Sequence, residues 1–181
     1  MKKLFLPLLL ILLLPLGGCA NKNEARWRAF SEELRERGAL CVTAELRAEY
    51  EDRSCSFTLR CAEDGEGGCT VEVLEPELIR GVKARMSADG TKLVYDSICV
   101  DTGDDGGTGL SPMGALPLLL RTLRGGALDA AWREEGCLAV RLIPDDGLAV
   151  TLLFDEDMKP SYAEIESEGK TVLFIGIRDF S

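Results

Sequence analysis

Leu40-Cys41-Val42-Thr43-Ala44-Glu45-Leu46-Arg47-Ala48-Glu49-Tyr50 repeats with a period of two. Leu40, Val42, Ala44, Leu46, Ala48 and Tyr50 fall on one face, and Cys41, Thr43, Glu45, Arg47 and Glu49 on the other. That alternation describes a strand with one face buried. Glu51-Asp52-Arg53 turns the chain, after which Cys55, Phe57, Leu59 and Cys61 alternate with Ser54, Ser56, Thr58 and Arg60. A glycine-rich acidic loop over 63–68 leads to Cys69, Val71 and Val73, with Thr70 and Glu72 facing away. Strands joined by tight turns pair antiparallel, so the stretch opens an antiparallel sheet.

The same grammar continues downstream. Pro76 ends the third strand, Val82, Ala84 and Met86 mark another, and Asp89-Gly90 is a hairpin turn signal before a strand over 93–100. A Gly-, Asp- and Thr-rich loop covers 101–109. Ser111 then suits a helix N-cap and Pro112 a first turn. Pro117 predicts a kink or a second start, and the helix stops at Gly125-Gly126. This segment is apolar nearly all round, so it should be covered. The pattern over 127–134 fits a short helix or a strand. Strands follow over 137–143, 148–154, 162–167 and 171–180, with turns at Asp145-Asp146-Gly147, over 155–160 and at Glu168-Gly169. Upstream, Trp27, Phe30 and Leu34 make one apolar stripe on a helix over 24–37 that Gly38 stops. Helices gathered on one face of an antiparallel sheet give an α+β domain.

The amino terminus reads differently. Lys2 and Lys3 precede an apolar run over 4–16, broken by Pro7 and Pro15, and Leu16-Gly17-Gly18-Cys19 closes it. A charged start, a short apolar stretch and a small-residue exit describe an export signal. The run is too short for a spanning helix, which needs ~20 apolar residues. Leu-Gly-Gly-Cys resembles the lipobox of bacterial lipoproteins. The resemblance implies a signal peptide over 1–18, lipid transfer to the Cys19 thiol, cleavage before it, and acylation (palmitate or a similar chain) of the new amino terminus. A tether over 19–23 would then hold one domain over 24–181 against the membrane. The net charge of −10 becomes more negative once the two lysines leave. Such a surface repels phosphates, which argues against nucleic acid and against a basic patch on anionic lipid. Attachment therefore falls to the acyl chains. The expected location is extracytoplasmic: the outer face of the cell membrane, or the outer membrane of a double-membraned cell.

Little in the sequence suggests catalysis. There is no histidine, so the usual base for a serine or cysteine nucleophile is missing. Ser111 lacks the spacing of a nucleophile elbow, and Ser167 and Lys170 straddle a turn. Asp101, Asp104 and Asp105, like Glu63, Asp64 and Glu66, lack the ligand spacing of a hard-cation loop and read as solvated acidic turns. No metal site, cofactor or catalytic residue is expected. Cys41, Cys55, Cys61, Cys69, Cys99 and Cys137 are even in number, which in an exported chain allows up to three disulfides; some could equally be buried thiols. Cys61 and Cys69 bracket one hairpin loop and share a face, making them the expected pair.

Val71-Glu72-Val73-Leu74-Glu75-Pro76-Glu77-Leu78-Ile79-Arg80-Gly81, Asp89-Gly90-Thr91-Lys92-Leu93-Val94-Tyr95 and Leu110-Ser111-Pro112 carry a further resemblance, with Pro160-Ser161-Tyr162-Ala163-Glu164-Ile165 and Ile177-Arg178-Asp179-Phe180. In this order they resemble the LolA-like fold of the LolA/LolB/RseB-like superfamily and of clostridial lipoproteins of the GerS type. The resemblance implies a curved antiparallel sheet, a half-barrel, wrapping the N-terminal helix and the central apolar helical segment around an apolar cavity. It implies a binder of a lipid, an acyl chain or a lipidated peptide rather than an enzyme. The cavity residues would be Leu46, Phe57, Leu59, Val71, Leu116, Leu119, Leu120 and Leu123; the same side chains could instead fill one another's space as core. The alternative is a protein-interaction lipoprotein that regulates an envelope enzyme or signalling protein, without ligand transport.

Overall fold

The computed structural model describes residues 22–49, 53–103, 110–144 and 147–181. The Cys19 segment, the 51–52 part of the first turn, Asp104, Asp105, Asp145 and Asp146 lie outside the described residues. Helix α1 (Lys22–Glu36) is followed by strands β1 (Cys41–Glu49), β2 (Ser54–Glu63), β3 (Cys69–Glu75), β4 (Lys83–Ser87), β5 (Gly90–Tyr95) and β6 (Ile98–Gly103). Helix α2 (Pro112–Gly125) leads to β7 (Ala127–Glu134), β8 (Cys137–Ile143), β9 (Leu148–Phe154), β10 (Pro160–Ser167) and β11 (Lys170–Phe180).

All eleven strands form one antiparallel sheet in the order β6-β5-β4-β3-β2-β1-β11-β10-β9-β8-β7. The first and last strands meet at its centre, with Val42 opposite Phe180 and Leu46 opposite Ile175. The sheet does not close, so β6 and β7 are its two ends. The α+β expectation holds. The ambiguous 127–134 segment is a strand, because its cross-strand pairing with β8 sets its period. The expected helical pair is one continuous helix through Pro117. Pro117 has no N–H to give the preceding turn, yet burial of Leu116, Leu118, Leu119 and Leu120 beside it keeps the helix intact.

Local chemistry sets the ends of α2. The Ser111 hydroxyl accepts from the Gly114 N–H at 3.1 Å, and Pro112 opens the first turn. At the other end the Gly126 N–H donates to the Thr122 carbonyl at 2.8 Å. A Cβ on Gly126 would lie 2.7 Å from that carbonyl oxygen and 3.3 Å from Leu142 Cβ, so no larger residue fits where α2 turns into β7.

Both helices lie on the inner face. Val42, Ala44, Leu46 and Ala48 of β1, Leu59 and Cys61 of β2, and Leu173 and Ile175 of β11 point into one core with the leucines of α2. Trp27 and Phe30 of α1 pack on Phe154 of β9, with ring centroids 5.1 to 5.9 Å apart. They are core residues, as their helical spacing suggests.

The outer face is polar and cross-linked by charge. Arg141 of β8 donates to both carboxylate oxygens of Glu166, at 2.5 and 2.8 Å, and its Nε lies 3.4 Å from Asp129. The guanidinium of Arg47 sits 4.4 Å over the Phe174 ring. The hydrogen bonds from Arg141 hold the Glu166 carboxyl below the ordinary carboxylate range, against the opposing effect of its partial burial. A carboxylate whose folded-state pKa is depressed stabilises the fold above its unfolded pKa of about 4.3, and that contribution is lost as pH falls through the folded value. Glu166→Gln is therefore expected to flatten the acid limb of the stability curve. Urea unfolding at a series of pH values between roughly 6 and 2 measures it; superimposable limbs for wild type and variant would contradict the pairing.

Candidate binding groove

The two α-helices among the described residues are too few to cover this sheet. Eleven strands at about 4.8 Å spacing make a sheet about 50 Å across, counted along its curve. A helix with side chains is about 10 Å wide. Helix α2 packs on β1, β2, β3 and β8, and α1 on β7 and α2. The inner face of β4, β5 and β6 therefore extends beyond both helices.

A groove of about 850 Å³ opens there. One wall is α2, through Gly114, Pro117, Leu118, Arg121 and Arg124. The opposite wall is the sheet, through Cys69, Met86 and Thr91, and the end of α1 (Arg37, Gly38) closes one side. Register extends the apolar surface outward. Met86 faces Thr91, Ala84 faces Leu93, Leu93 faces Val100, and Tyr95 faces Ile98. Ala84 is fully buried, whereas Tyr95, Ile98 and Val100 are 49%, 63% and 52% exposed. The inner face thus grades from packed core under α2 to an uncovered apolar surface at the β6 end.

Arg124 holds the closed side of the groove. Its guanidinium donates to the Leu34 carbonyl at 2.8 Å, the Gly38 carbonyl at 2.6 Å and Glu63 Oε2 at 2.7 Å. Glu63 in turn accepts from the Leu40 N–H at 2.9 Å, and Arg35 donates to the Arg124 carbonyl at 3.0 Å. One side chain on α2 thereby satisfies carbonyls that the end of α1 leaves without helical partners, and joins both helices to β2.

The sequence-predicted cavity residues divide. Leu46, Leu59, Val71, Leu116, Leu119 and Leu123 are fully buried core, and Phe57 is half-buried against it. They meet one another because α2 lies directly on β1–β3. Leu120 does border the groove. Met86, Thr91 and the arginines were missed. Their signal was the mismatch between a short α2 and a long run of strands, together with Met86 on the apolar face of its hairpin.

Ser111 serves as the helix cap. Ser167 and Lys170 face each other at the mouth of the β10–β11 turn, away from the groove. Asp64 accepts from the Glu66 and Gly68 N–H groups, both at 2.9 Å, so its loop is ordered by its own backbone. Among the described residues no three His, Cys, Asp or Glu side chains converge as a metal site, and no helix is long and apolar enough to cross a membrane. The six described cysteines are free, so the expected Cys61–Cys69 disulfide is absent from this structure. The two cysteines nonetheless lie diagonally across the β2–β3 pair, on the same face.

No protein-family model matches the chain, and no curated protein sequence matches it. Solved structures do. A LolA superfamily protein from Nitrosomonas europaea superposes with a TM-score of 0.53 at 10% identity, over 90% of this chain and 94% of that one. The complex of the CwlD amidase with the GerS lipoprotein from Clostridioides difficile gives 0.46 at 16% identity, over 89% and 96%. Mycobacterium tuberculosis lipoprotein LppX gives 0.44 at 12% identity, over 86% and 93%. At these identities the likeness speaks to the fold alone, and the first of them carries it. An open, curved antiparallel sheet with two helices on its inner face, matched over nearly the whole chain, is a LolA-like fold.

Proposed function

We propose that this protein is a membrane-tethered lipoprotein whose groove between α2 and the β3–β5 part of the sheet holds an acyl chain of a lipid or of a lipidated peptide. The observation that carries the reading is the groove itself. Its volume of about 850 Å³ falls within the range of small-molecule sites, roughly 300–1,000 Å³. Pro117 and Met86, both half-buried, offer apolar surface beside the buried Leu118 and Leu120, and Arg37, Arg121 and Arg124 lie among the polar groups of its lining. Each methylene taken out of water contributes ~0.8 kcal/mol, so a chain lying along Met86 and Pro117 would gain several times that. Binding of this kind needs no catalytic residue.

The test is a fluorescent acyl probe titrated into detergent-free protein. Saturable binding is expected. Met86→Glu places a carboxylate in the apolar wall and should weaken it at least ~10-fold, since an unpaired charge facing hydrocarbon must be desolvated or protonated. Equal affinity in wild type and variant would sink the groove as the binding site.

A second reading rests on a different observation. Among the described residues β6 pairs on one side only, and Ile98 and Val100 on it are largely exposed. A partner protein could add a strand to that edge. Recovery of one stoichiometric envelope protein with wild type, and its loss when Val100 is replaced by proline, would favour this reading; retention by the proline variant would count against strand addition.

A further inference from the structure

We infer that Cys61 and Cys69 form a thiol–disulfide exchange site in the groove wall, with Cys69 the attacking thiol and Cys61 the resolving one. The strand register places them together. Cys61 of β2 lies opposite Val71, and Cys69 of β3 lies opposite Glu63. The two cysteines are therefore diagonal neighbours on the inner face, within reach of each other. They bracket the 63–68 loop, so a bond between them closes a short ring at the base of the groove.

Their surroundings differ in the way that such a pair requires. Cys61 is fully buried in the core, whereas Cys69 is half-buried and lines the groove beside Gly67 and Gly68. Only Cys69 can meet a reagent that enters from the groove. The Cys61 thiol beside it, as a donor, draws the Cys69 thiol down, outweighing burial and the nearby Glu63 and Asp64. Interaction with Cys69, then burial, pushes the Cys61 thiol up, so it keeps its proton until the mixed disulfide forms beside it. The thiolate is the nucleophile in disulfide exchange, and of the two thiols only Cys69 lines the groove, so Cys69 attacks first.

The co-reactant is a disulfide, RS–SR. The Cys69 thiolate attacks one of its sulfurs, forming a Cys69–SR mixed disulfide and releasing RS⁻, which is protonated to RSH. Cys61 then attacks Cys69 Sγ, its proton passing to the departing second RS⁻. The two cysteines lose two electrons and two protons in all, and RS–SR becomes two RSH. Run in reverse, the same steps reduce the pair. Two buried thiols packed only as small hydrophobes would react with neither.

The test uses oxidised glutathione on fully reduced protein without acyl ligand, so its outcome is independent of what the groove binds. Peptide mapping under non-reducing conditions should find Cys61 cross-linked to Cys69 in wild type. Cys61→Ala should stop at the first step and accumulate one glutathione on Cys69, faster than on exposed Cys99. In Cys69→Ser, Cys61 should stay unmodified. The wild-type map decides the matter even if a variant fails to fold. Cys61 and Cys69 both free after Cys99 is fully glutathionylated, or a Cys61→Ala protein that takes up none on Cys69, would overturn the assignment.

Discussion

Cys19→Ala is expected to move the protein from the membrane pellet to the soluble fraction. The reasoning is one of magnitudes. Each buried methylene of an acyl chain contributes ~0.8 kcal/mol, and two or more chains make attachment stable where one is marginal. Nothing else among the described residues replaces them. The net charge is −10, and among the described residues no helix can span a bilayer. The structure starts α1 at Lys22, so Cys19 would stand only a few residues from the folded domain and hold it close to the bilayer. Fractionation of cells expressing wild type and Cys19→Ala, with the acyl groups on the wild-type amino terminus identified by mass spectrometry, measures the effect. Wild-type protein that carries no lipid, or a variant that stays in the pellet after a high-salt wash, would contradict the lipoprotein reading.

Arg124→Ala should lower unfolding stability by roughly 2–4 kcal/mol. The variant removes hydrogen bonds to the carbonyls at the end of α1 and leaves Glu63 with the Leu40 N–H but without its cation. Both partners are largely but not wholly buried, with 27% and 20% of their side chains exposed. Water can therefore recover part of the loss, which sets the estimate below that for a fully buried pair. Glu63→Gln keeps the shape and a hydrogen-bond acceptor and should cost less. Urea unfolding with an unchanged m-value gives the comparison. A loss under ~0.5 kcal/mol for Arg124→Ala, the usual range for surface changes, would show that the α1–α2 junction does not depend on it.

Most of the sheet was legible in the sequence, because one face of each strand is buried and the period of two survives. β1, β2 and β3 were read nearly residue by residue from Val42, Leu59 and Val71. The 127–134 segment was not, since Ala127, Ala130 and Ala131 suit helix and strand alike and only pairing with β8 decides. Pro117 misled for a related reason: tertiary burial of its leucine neighbours outweighs one missing hydrogen bond. The groove was less legible than the fold. An apolar helix and an apolar strand face predict contact, and contact is what Leu46, Leu59 and Leu116 make. A groove forms instead where the helix ends and the strands continue, at Met86, Thr91 and Leu118. That position depends on where α2 crosses the sheet, which no local pattern encodes. Arg124 was invisible for the same reason, because its partners on α1 and β2 are distant in sequence.

The groove beside α2 is proposed to hold an acyl chain. Native mass spectrometry of the mature domain, purified from its native envelope without detergent, tests it most directly. A co-purifying lipid or acylated species is expected, released on unfolding and absent from Met86→Glu. Repeated preparations free of lipid, together with no uptake of an added acyl probe, would contradict it.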